Sequence, residues 1–336
     1  MATHILEVED LKGYYRGVFG VVRAIDGVSF NLDRGKIMGI AGESGGGKST
    51  LAQLVSGTPP PLLHHEGGRI LVDGIDIYNI DPEQLRTEVK CKRMSYVPQA
   101  SMESLNPVKR IRDFIFDVVE QRTGKRVRSK QRKDEVLRMA ADHIKTLGLD
   151  RQVLDRYPHE LSGGMKQRVV IAISTLWNPT LLVIDEPTSA LDVTSQKRMI
   201  KALLNLKKIG IIESMLYISH DLTSLRQLCD RCMVMYAGKI AEIGDMEETI
   251  EKPLHPYSRL LTSAIASYDS RGKRTHELKS IPGSPPDLRT PPSGCRFHPR
   301  CPYVMDVCVA KEPPMFMERD GERGASCWLL DQEEGK

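Results

Sequence analysis

GESGGGKS, residues Gly42 to Ser49, fits the pattern G-x-x-x-x-G-K-[ST] and lies between two segments of different character. Upstream, KIMGIA (Lys36 to Ala41) is a short apolar run suited to a buried strand. Downstream, STLAQLVSG (Ser49 to Gly57) carries a short helical pattern that ends in glycine. Strand, glycine loop and helix, in that order, make a phosphate cradle. The glycines let backbone N–H groups turn inward, the helix N-terminus adds positive potential, Lys48 reaches β- and γ-phosphates, and Ser49 offers a hydroxyl to Mg²⁺. The candidate nucleotide-binding residues here are Gly42, Glu43, Ser44, Gly45, Gly46, Gly47, Lys48, Ser49 and Thr50.

A second signal follows far downstream. LLVIDEP (Leu181 to Pro187) is an apolar strand that runs into two carboxylates, as a buried parallel strand does where it emerges at its C-terminal edge. Asp185 is placed to hold Mg²⁺ through water, and Glu186 to orient and polarise an attacking water. An acidic pair after a strand, taken alone, is a solvated loop end. Coupled to the upstream glycine loop it becomes the other half of a hydrolytic site.

LSGGMKQR (Leu161 to Arg168), shortly before the acidic strand, resembles the signature motif of ATP-binding-cassette (ABC) ATPases. Other segments match that family in the same order. SYVPQASMESLNP (Ser95 to Pro107) is similar to the Q-loop, with Gln99; EPTSALD (Glu186 to Asp192) resembles the strand end that continues into the D-loop; YISHDL (Tyr217 to Leu222) resembles the switch region, with His220. The resemblance covers roughly residues 5 to 262. It implies an α/β P-loop NTPase fold, a RecA-like core with a helical signature subdomain at about residues 100–178. It also implies ATP and Mg²⁺ as ligands, with Ser49, Gln99 and Asp185 at the metal and Glu186, His220 and Gln99 in catalysis. An aromatic near the start, Tyr15 with Tyr14 as a near equal, is expected to stack on adenine.

In such cassettes the signature completes the site of the opposite subunit. Leu161, Ser162, Gly163, Gly164 and Met165, opening the helical run KQRVVIAISTL, are expected to face the partner's nucleotide, with Asp192 of the D-loop across the seam. Met165 departs from the family pattern, which has glutamine there. The groups expected to face phosphate are the Ser162 hydroxyl and glycine amides, so activity is expected to survive.

Composition sets the outer bounds. The chain has 336 residues, 27% of them charged, with 48 basic against 44 acidic side chains, an ordinary balance for a globular protein. No apolar run approaches the roughly 18 residues of a membrane helix, and MATHILEVEDLKG lacks a basic segment leading into a hydrophobic one. The expectation from these features is a cytoplasmic chain, and the resemblance implies a peripheral place at the cytoplasmic face of the cell membrane. GKRVRSKQRKDEVLRMAADHIKTLGL (Gly124 to Leu149) has a basic lead-in and helical spacing at Val136, Leu137, Ala140, Ile144 and Leu147. It reads as a solvated helix face, since no aromatic platform accompanies it, and no nucleic-acid partner is expected. Gln99 and Leu161 are only 62 positions apart, too few for the long coiled coil of repair and chromosome ATPases. A single cassette argues against a translation factor, which leaves transport.

The tail narrows the resemblance. HPYSRLLTSAIAS (His255 to Ser267), then IPGSPPDLRTPPSGCRFHPRCPYVMDVC, and finally Cys327 and Trp328, resemble the C-terminal extension of oligopeptide and dipeptide importer ATPases; ALDVTSQ (Ala190 to Gln196) is similar to the same subgroup. The domains expected are a nucleotide-binding domain over residues 1–262 and an extension over 263–336. The family implies a second ATPase subunit, a paralogue, two transmembrane permease subunits and an extracytoplasmic binding protein. Peptide is the leading cargo, with oligosaccharide or a nickel-type metal complex as alternatives and a soluble nucleic-acid-associated ATPase as a remote one.

Cys295, Cys301, Cys308 and Cys327 are separated by five, six and eighteen residues, among prolines 299, 302, 313 and 314. Four thiols in a small intracellular module point to a metal site. The two-to-four-residue spacing of structural zinc pairs is missing, and the resembling extension is associated with a four-iron four-sulfur cluster. Zinc and free packed thiols stand as the alternatives, and His298 reads as a surface residue. CDRC (Cys229 to Cys232) has redox spacing but reads as packed thiols, and Cys91 is isolated.

Overall fold

Apolar runs and amphipathic stretches alternate along the chain in this computed structural model, which describes residues 3–18, 20–189, 191–263, 280–319 and 321–331. Strands are β1 (His4–Gly17), β2 (Gly20–Asp33), β3 (Ile37–Ala41), β4 (Leu63–Val72), β5 (Ile75–Asp76), β6 (Met94–Val97), β7 (Leu181–Asp185), β8 (Ser214–Ile218), β9 (Arg231–Tyr236), β10 (Lys239–Asp245), β11 (Phe316–Met317) and β12 (Gly324–Ala325). Helices are α1 (Lys48–Val55), α2 (Pro82–Gln84), α3 (Ile111–Thr123), α4 (Lys130–Thr146), α5 (Gly163–Ser174), α6 (Val193–Lys208), α7 (Leu222–Leu228), α8 (Met246–Glu251), α9 (Pro256–Ser263) and α10 (Asp306–Ala310). Ala190 of the D-loop stretch and residues 264–279 of the expected extension lie outside the described residues.

The chain forms two compact units, one of Met1–Ile5, Asp33–Gly35 and Val72–Met215, the other of Leu6–Leu32, Lys36–Leu71 and Leu216–Lys336. In the first, β6 and β7 pair in parallel with Met94 opposite Leu181 and Val97 opposite Ile184. All five residues of β7 are buried, which explains an apolar run without alternation. Helix α3 contributes Ile111, Ile115 and Val119 to the core of this unit, and α4 contributes Val136, Ala140 and Ile144 at helical spacing. Leu147, just past α4, is also buried. Ser129 caps α4 by accepting the Arg132 N–H at 3.2 Å. Arg168 of α5 donates to the carbonyls of Leu147 and Gly148, closing off the orphan acceptors at the end of α4. Burial lowers the pKa of His143, whose Nε2 lies 2.9 Å from Thr175 Oγ1.

In the second unit β3 pairs in parallel with β9, Met38 opposite Arg231 and Ala41 opposite Val234, and β9 pairs antiparallel with β10. The tail joins this sheet. Strand β12 adds antiparallel to β10, placing Ala325 opposite Glu242 and Gly324 opposite Ile243, and β11 adds to β12 in turn. A Cβ on Gly324 would sit 2.5 Å from Met317 Sδ and 2.6 Å from the Phe316 carbonyl, so this added pair tolerates only glycine there. Glu242, fully buried, accepts the N–H groups of Leu254 and His255 at 3.0 and 2.9 Å and lies 3.6 Å from the Arg323 guanidinium. Among the described residues no helix is long and apolar enough to cross a membrane.

Candidate active site

The glycine loop takes its shape from backbone conformations that only glycine holds cheaply. Gly42, Gly45 and Gly47 have φ of 144°, 79° and 99°. A Cβ would also collide at two of them, 2.3 Å from the Met235 carbonyl at Gly42 and 2.5 Å from the Ala24 carbonyl at Gly47. The loop is therefore pressed against backbone on both flanks and opens directly into α1. Lys48, 6% exposed, curls back so that Nζ donates to the carbonyls of Gly42 and Glu43, each at 2.9 Å. Of the two candidate aromatics, Tyr14 donates to Asp26 at 2.6 Å. Tyr15 lies toward α1, with its hydroxyl 3.3 Å from Thr50 Oγ1 and 3.2 Å from Gln53 Oε1. Alternation along β1 sends the two rings to opposite sides, and Tyr15 is the one on the loop side.

His220 is exposed immediately after the buried end of β8. Next to it Ser219 Oγ accepts the Asp221 N–H at 3.0 Å, and Asp221 caps α7.

Within the first unit, β7 delivers Asp185 at 1% exposure and Glu186 half-buried just beyond it. Glu186 has a φ of 45°, a left-handed conformation that costs energy for a non-glycine residue. That turn is held by Ser189, whose hydroxyl donates to the Glu186 carbonyl at 3.1 Å. It aims the side chain at Gln99, whose Nε2 donates to Glu186 Oε2 at 3.4 Å. Ala100 is also left-handed, φ 56°, so the Q-loop bends sharply just after Gln99. The bond thus joins the left-handed Glu186 to Gln99, and the left-handed Ala100 follows Gln99 directly.

The signature opens α5, with Leu161 buried, Ser162 as N-cap and a Ser162 hydroxyl that accepts the Met165 N–H at 3.4 Å. Asp192 is the N-cap of α6, accepting from Ser195 N and Oγ at 3.0 and 2.6 Å, and these bonds hold its carboxyl below the usual range. The two starts are packed side by side: a Cβ on Gly164 would stand 3.0 Å from Ser195 Oγ, and one on Gly163 3.7 Å from Leu191. Signature and D-loop thus present adjacent helix N-termini, with Ser162 and Gly163 exposed. Gln167, buried, donates to Ser101 Oγ at 3.3 Å and ties this helix to the Q-loop.

In the tail, Cys295, Cys301, Cys308 and Cys327 all line one small cavity, walled also by Phe297 and Trp328. Burial pushes up the thiol of Cys295, to about 12, that of Cys327, to about 11, and that of Cys301. Among the described residues no three His, Cys, Asp or Glu side chains converge closely enough to hold a single metal ion. His298 turns its Nδ1 to the Cys295 carbonyl at 2.9 Å. Cys229 and Cys232 are packed thiols, raised by burial, Cys232 to about 12.

Other residues at the loop went unread in the sequence. Arg300 pairs with Glu43, Tyr257 Oη accepts the Glu43 N–H at 2.7 Å, and Arg296 pairs with Asp26. Both arginines sit between prolines and cysteines, and their partners lie 257 and 270 positions away. No local pattern could connect them.

A glycine loop before a helix, an acidic strand end, a Q-loop and a signature helix with an exposed N-terminus are the marks of an ATPase of the ABC cassette class. The fold agrees: the ATP-binding cassette MJ0796, solved as a dimer in a post-hydrolysis state with ADP and Pi, superposes with a TM-score of 0.60 over 72% of this chain and 98% of that one, at 22% identity. The ABC transporter family model matches residues 25–189, and that of the oligopeptide/dipeptide transporter C-terminal region matches residues 241–308. The chain is 38% identical to the dipeptide transport ATP-binding protein DppD of Caldanaerobacter subterraneus subsp. tengcongensis, over 98% of both chains. It is equally similar, at 38%, to the oligopeptide transport ATP-binding protein OppD of Bacillus subtilis, over 98% of this chain and 89% of that protein. The chain belongs to the ABC transporter ATP-binding proteins, in the branch that carries the oligopeptide/dipeptide transporter C-terminal region.

Proposed function

We propose that this chain is the ATP-hydrolysing subunit that powers import of oligopeptides or dipeptides. One observation carries the cargo: the transporter-type C-terminal region follows a complete cassette, in whole-chain similarity to proteins named for dipeptide and oligopeptide transport. In this reading Lys48 and the amides of Gly42–Thr50 hold the phosphates, and Tyr15 stacks on adenine. The oxygen donors of Ser49, Gln99 and Asp185 are the hard ligands Mg²⁺ prefers, and the ion when bound neutralises phosphate charge. Glu186, held by Gln99 at 3.4 Å, orients the attacking water, and His220 contacts the γ-phosphate. Leu161–Met165 and Asp192 serve the nucleotide of a second cassette, which is a paralogue. Two permease subunits and an extracytoplasmic binding protein complete the assembly, and the chain sits peripherally on the cytoplasmic face of the membrane. The domain limit falls near residue 262.

The four tail cysteines are proposed to hold a four-iron four-sulfur cluster. What supports this reading is that the four thiols line one cavity and that the sequence spacing lacks the close pairs of a structural zinc site. Anaerobically purified protein is expected to contain iron and acid-labile sulfide; stoichiometric zinc in their place would overturn the assignment.

The test of function is ATPase activity of the complex recovered with this chain from membranes, with its binding protein loaded in turn with peptides and oligosaccharides. Stimulation by peptide alone is expected. Stimulation by sugar alone would refute the cargo.

A further inference from the structure

Arg300 belongs to the turn between Cys295 and Cys301, yet its guanidinium ends at the phosphate loop. Its side chain is 5% exposed, and Nη1 and Nη2 donate to Glu43 Oε2 and Oε1 at 2.7 and 3.1 Å, a two-pronged pair. The remaining donors go to Tyr236 Oη at 3.1 Å, the Pro282 carbonyl at 2.6 Å and the Gly283 carbonyl at 3.4 Å. All five N–H groups are thereby used. Glu43 is gripped a second time through its backbone N–H, which donates to Tyr257 Oη at 2.7 Å. The grip is continuous with the cysteine cavity. Phe297, which walls that cavity and is 1% exposed, packs edge-on to Tyr236 at 5.1 Å and against Tyr257 at 5.3 Å.

We propose that Arg300 is a positioning residue of the ATP site: it holds and neutralises the Glu43 carboxylate in the phosphate loop, so that the cysteine module sets the affinity for ATP. The physical argument is electrostatic. Glu43 adjoins Gly42 in a loop whose task is to receive a polyphosphate anion, and an unpaired carboxylate there opposes that anion in a partly dry setting. A guanidinium in bidentate contact removes the opposition and fixes the loop backbone as well. Because Arg300 directly precedes Cys301, any rearrangement of the thiol-lined turn moves the guanidinium. The proposal rests on Gly42–Ser49 being the ATP phosphate loop, which wild-type ATP binding checks separately.

The experiment is a charge-neutralising cycle on the full chain: wild type, Arg300→Gln, Glu43→Gln and the double variant, each titrated with a fluorescent ATP analogue and melted thermally. The KM and kcat for ATP are then measured in the assembled transporter. Arg300→Gln is expected to raise Kd and KM on the order of tenfold with kcat within about threefold, since the group acts on binding. The double variant, with no carboxylate left to neutralise, is expected to bind ATP several-fold more tightly than Arg300→Gln. Arg300→Lys, which keeps the charge and loses the fork, is expected to fall between. Cys301→Ser is expected to raise KM in the wild-type background and not in the double variant. A lower melting temperature with unchanged Kd and KM would reduce Arg300 to a structural staple. A double variant as weak as Arg300→Gln would show that it does not act through Glu43. If Arg300→Gln fails to fold, the comparison of Arg300→Lys with Arg300→Lys/Glu43→Gln decides in the same way. Wild type that fails to bind ATP would refute the loop assignment itself.

Discussion

Alanine placed at successive glycines of the phosphate loop separates backbone strain from steric exclusion. Gly45 has a φ of 79° with nothing within 4 Å of a would-be Cβ, so Gly45→Ala meets strain alone. That strain is about 1–2 kcal/mol, offset in part by the lower entropy of an unfolded chain without glycine. Gly46 has no such φ, and its Cβ would stand 3.1 Å from the Glu43 carbonyl and 3.3 Å from the Met235 carbonyl, a tight but yielding fit. Gly47 combines a φ of 99° with a Cβ 2.5 Å from the Ala24 carbonyl and 3.0 Å from Ile25 Cδ1. Carbon and carbonyl oxygen ordinarily approach to about 3.3 Å, so the loop must retreat by about 0.8 Å. A retreat of that size stretches an N–H···phosphate bond of about 2.9 Å beyond hydrogen-bonding range. Each charge-assisted bond lost costs about 1.5–3 kcal/mol, or roughly 10- to 100-fold in affinity. Titration of the three variants with a fluorescent ATP analogue is expected to rank Kd as Gly45→Ala, then Gly46→Ala, then Gly47→Ala, the last at least tenfold above wild type. Gly47→Ala binding within about threefold of wild type, or Gly45→Ala as the weakest binder, would refute the reasoning.

Glu186→Gln is expected to bind ATP with near wild-type affinity while hydrolysis falls by about 10²–10⁴, because the amide still accepts from Gln99 but no longer polarises water; single-turnover hydrolysis checks it, and normal turnover removes Glu186 from that role. Lys48→Ala is expected to weaken ATP binding itself by roughly 10- to 100-fold, measured by equilibrium titration. His255 is buried neutral, its pKa lowered to about 4, with its Nδ1 accepting the Tyr257 N–H at 2.9 Å and Glu242 and Arg259 nearby. The unfolded chain binds a proton in this range that the fold refuses. This contribution is therefore full above about pH 6.5 and declines, by up to about 3 kcal/mol, as pH falls toward 4. Urea midpoints at pH 7 and 4.5 measure it, and a decline of equal size in His255→Asn would assign it elsewhere.

The amino-acid sequence alone determined the class of the protein, because its evidence is local. The glycine loop, the apolar strand ending in Asp185 and Glu186, and the signature each work through backbone conformation and residue type within a few positions. A short quoted stretch therefore contains the chemistry. The tertiary structure decided what depends on distant segments meeting. It placed Tyr15 rather than Tyr14 on the loop side of β1, since a strand's alternation separates neighbours that look equivalent in sequence. It put strain at Glu186 and Ala100, which no composition reveals. It set four thiols that lie up to 32 positions apart in sequence around one cavity. It also turned Arg300, in sequence only a basic residue between proline and cysteine, into the partner of Glu43 across 257 positions. Burial of a charge demands a counter-charge, and only the fold says which one arrives.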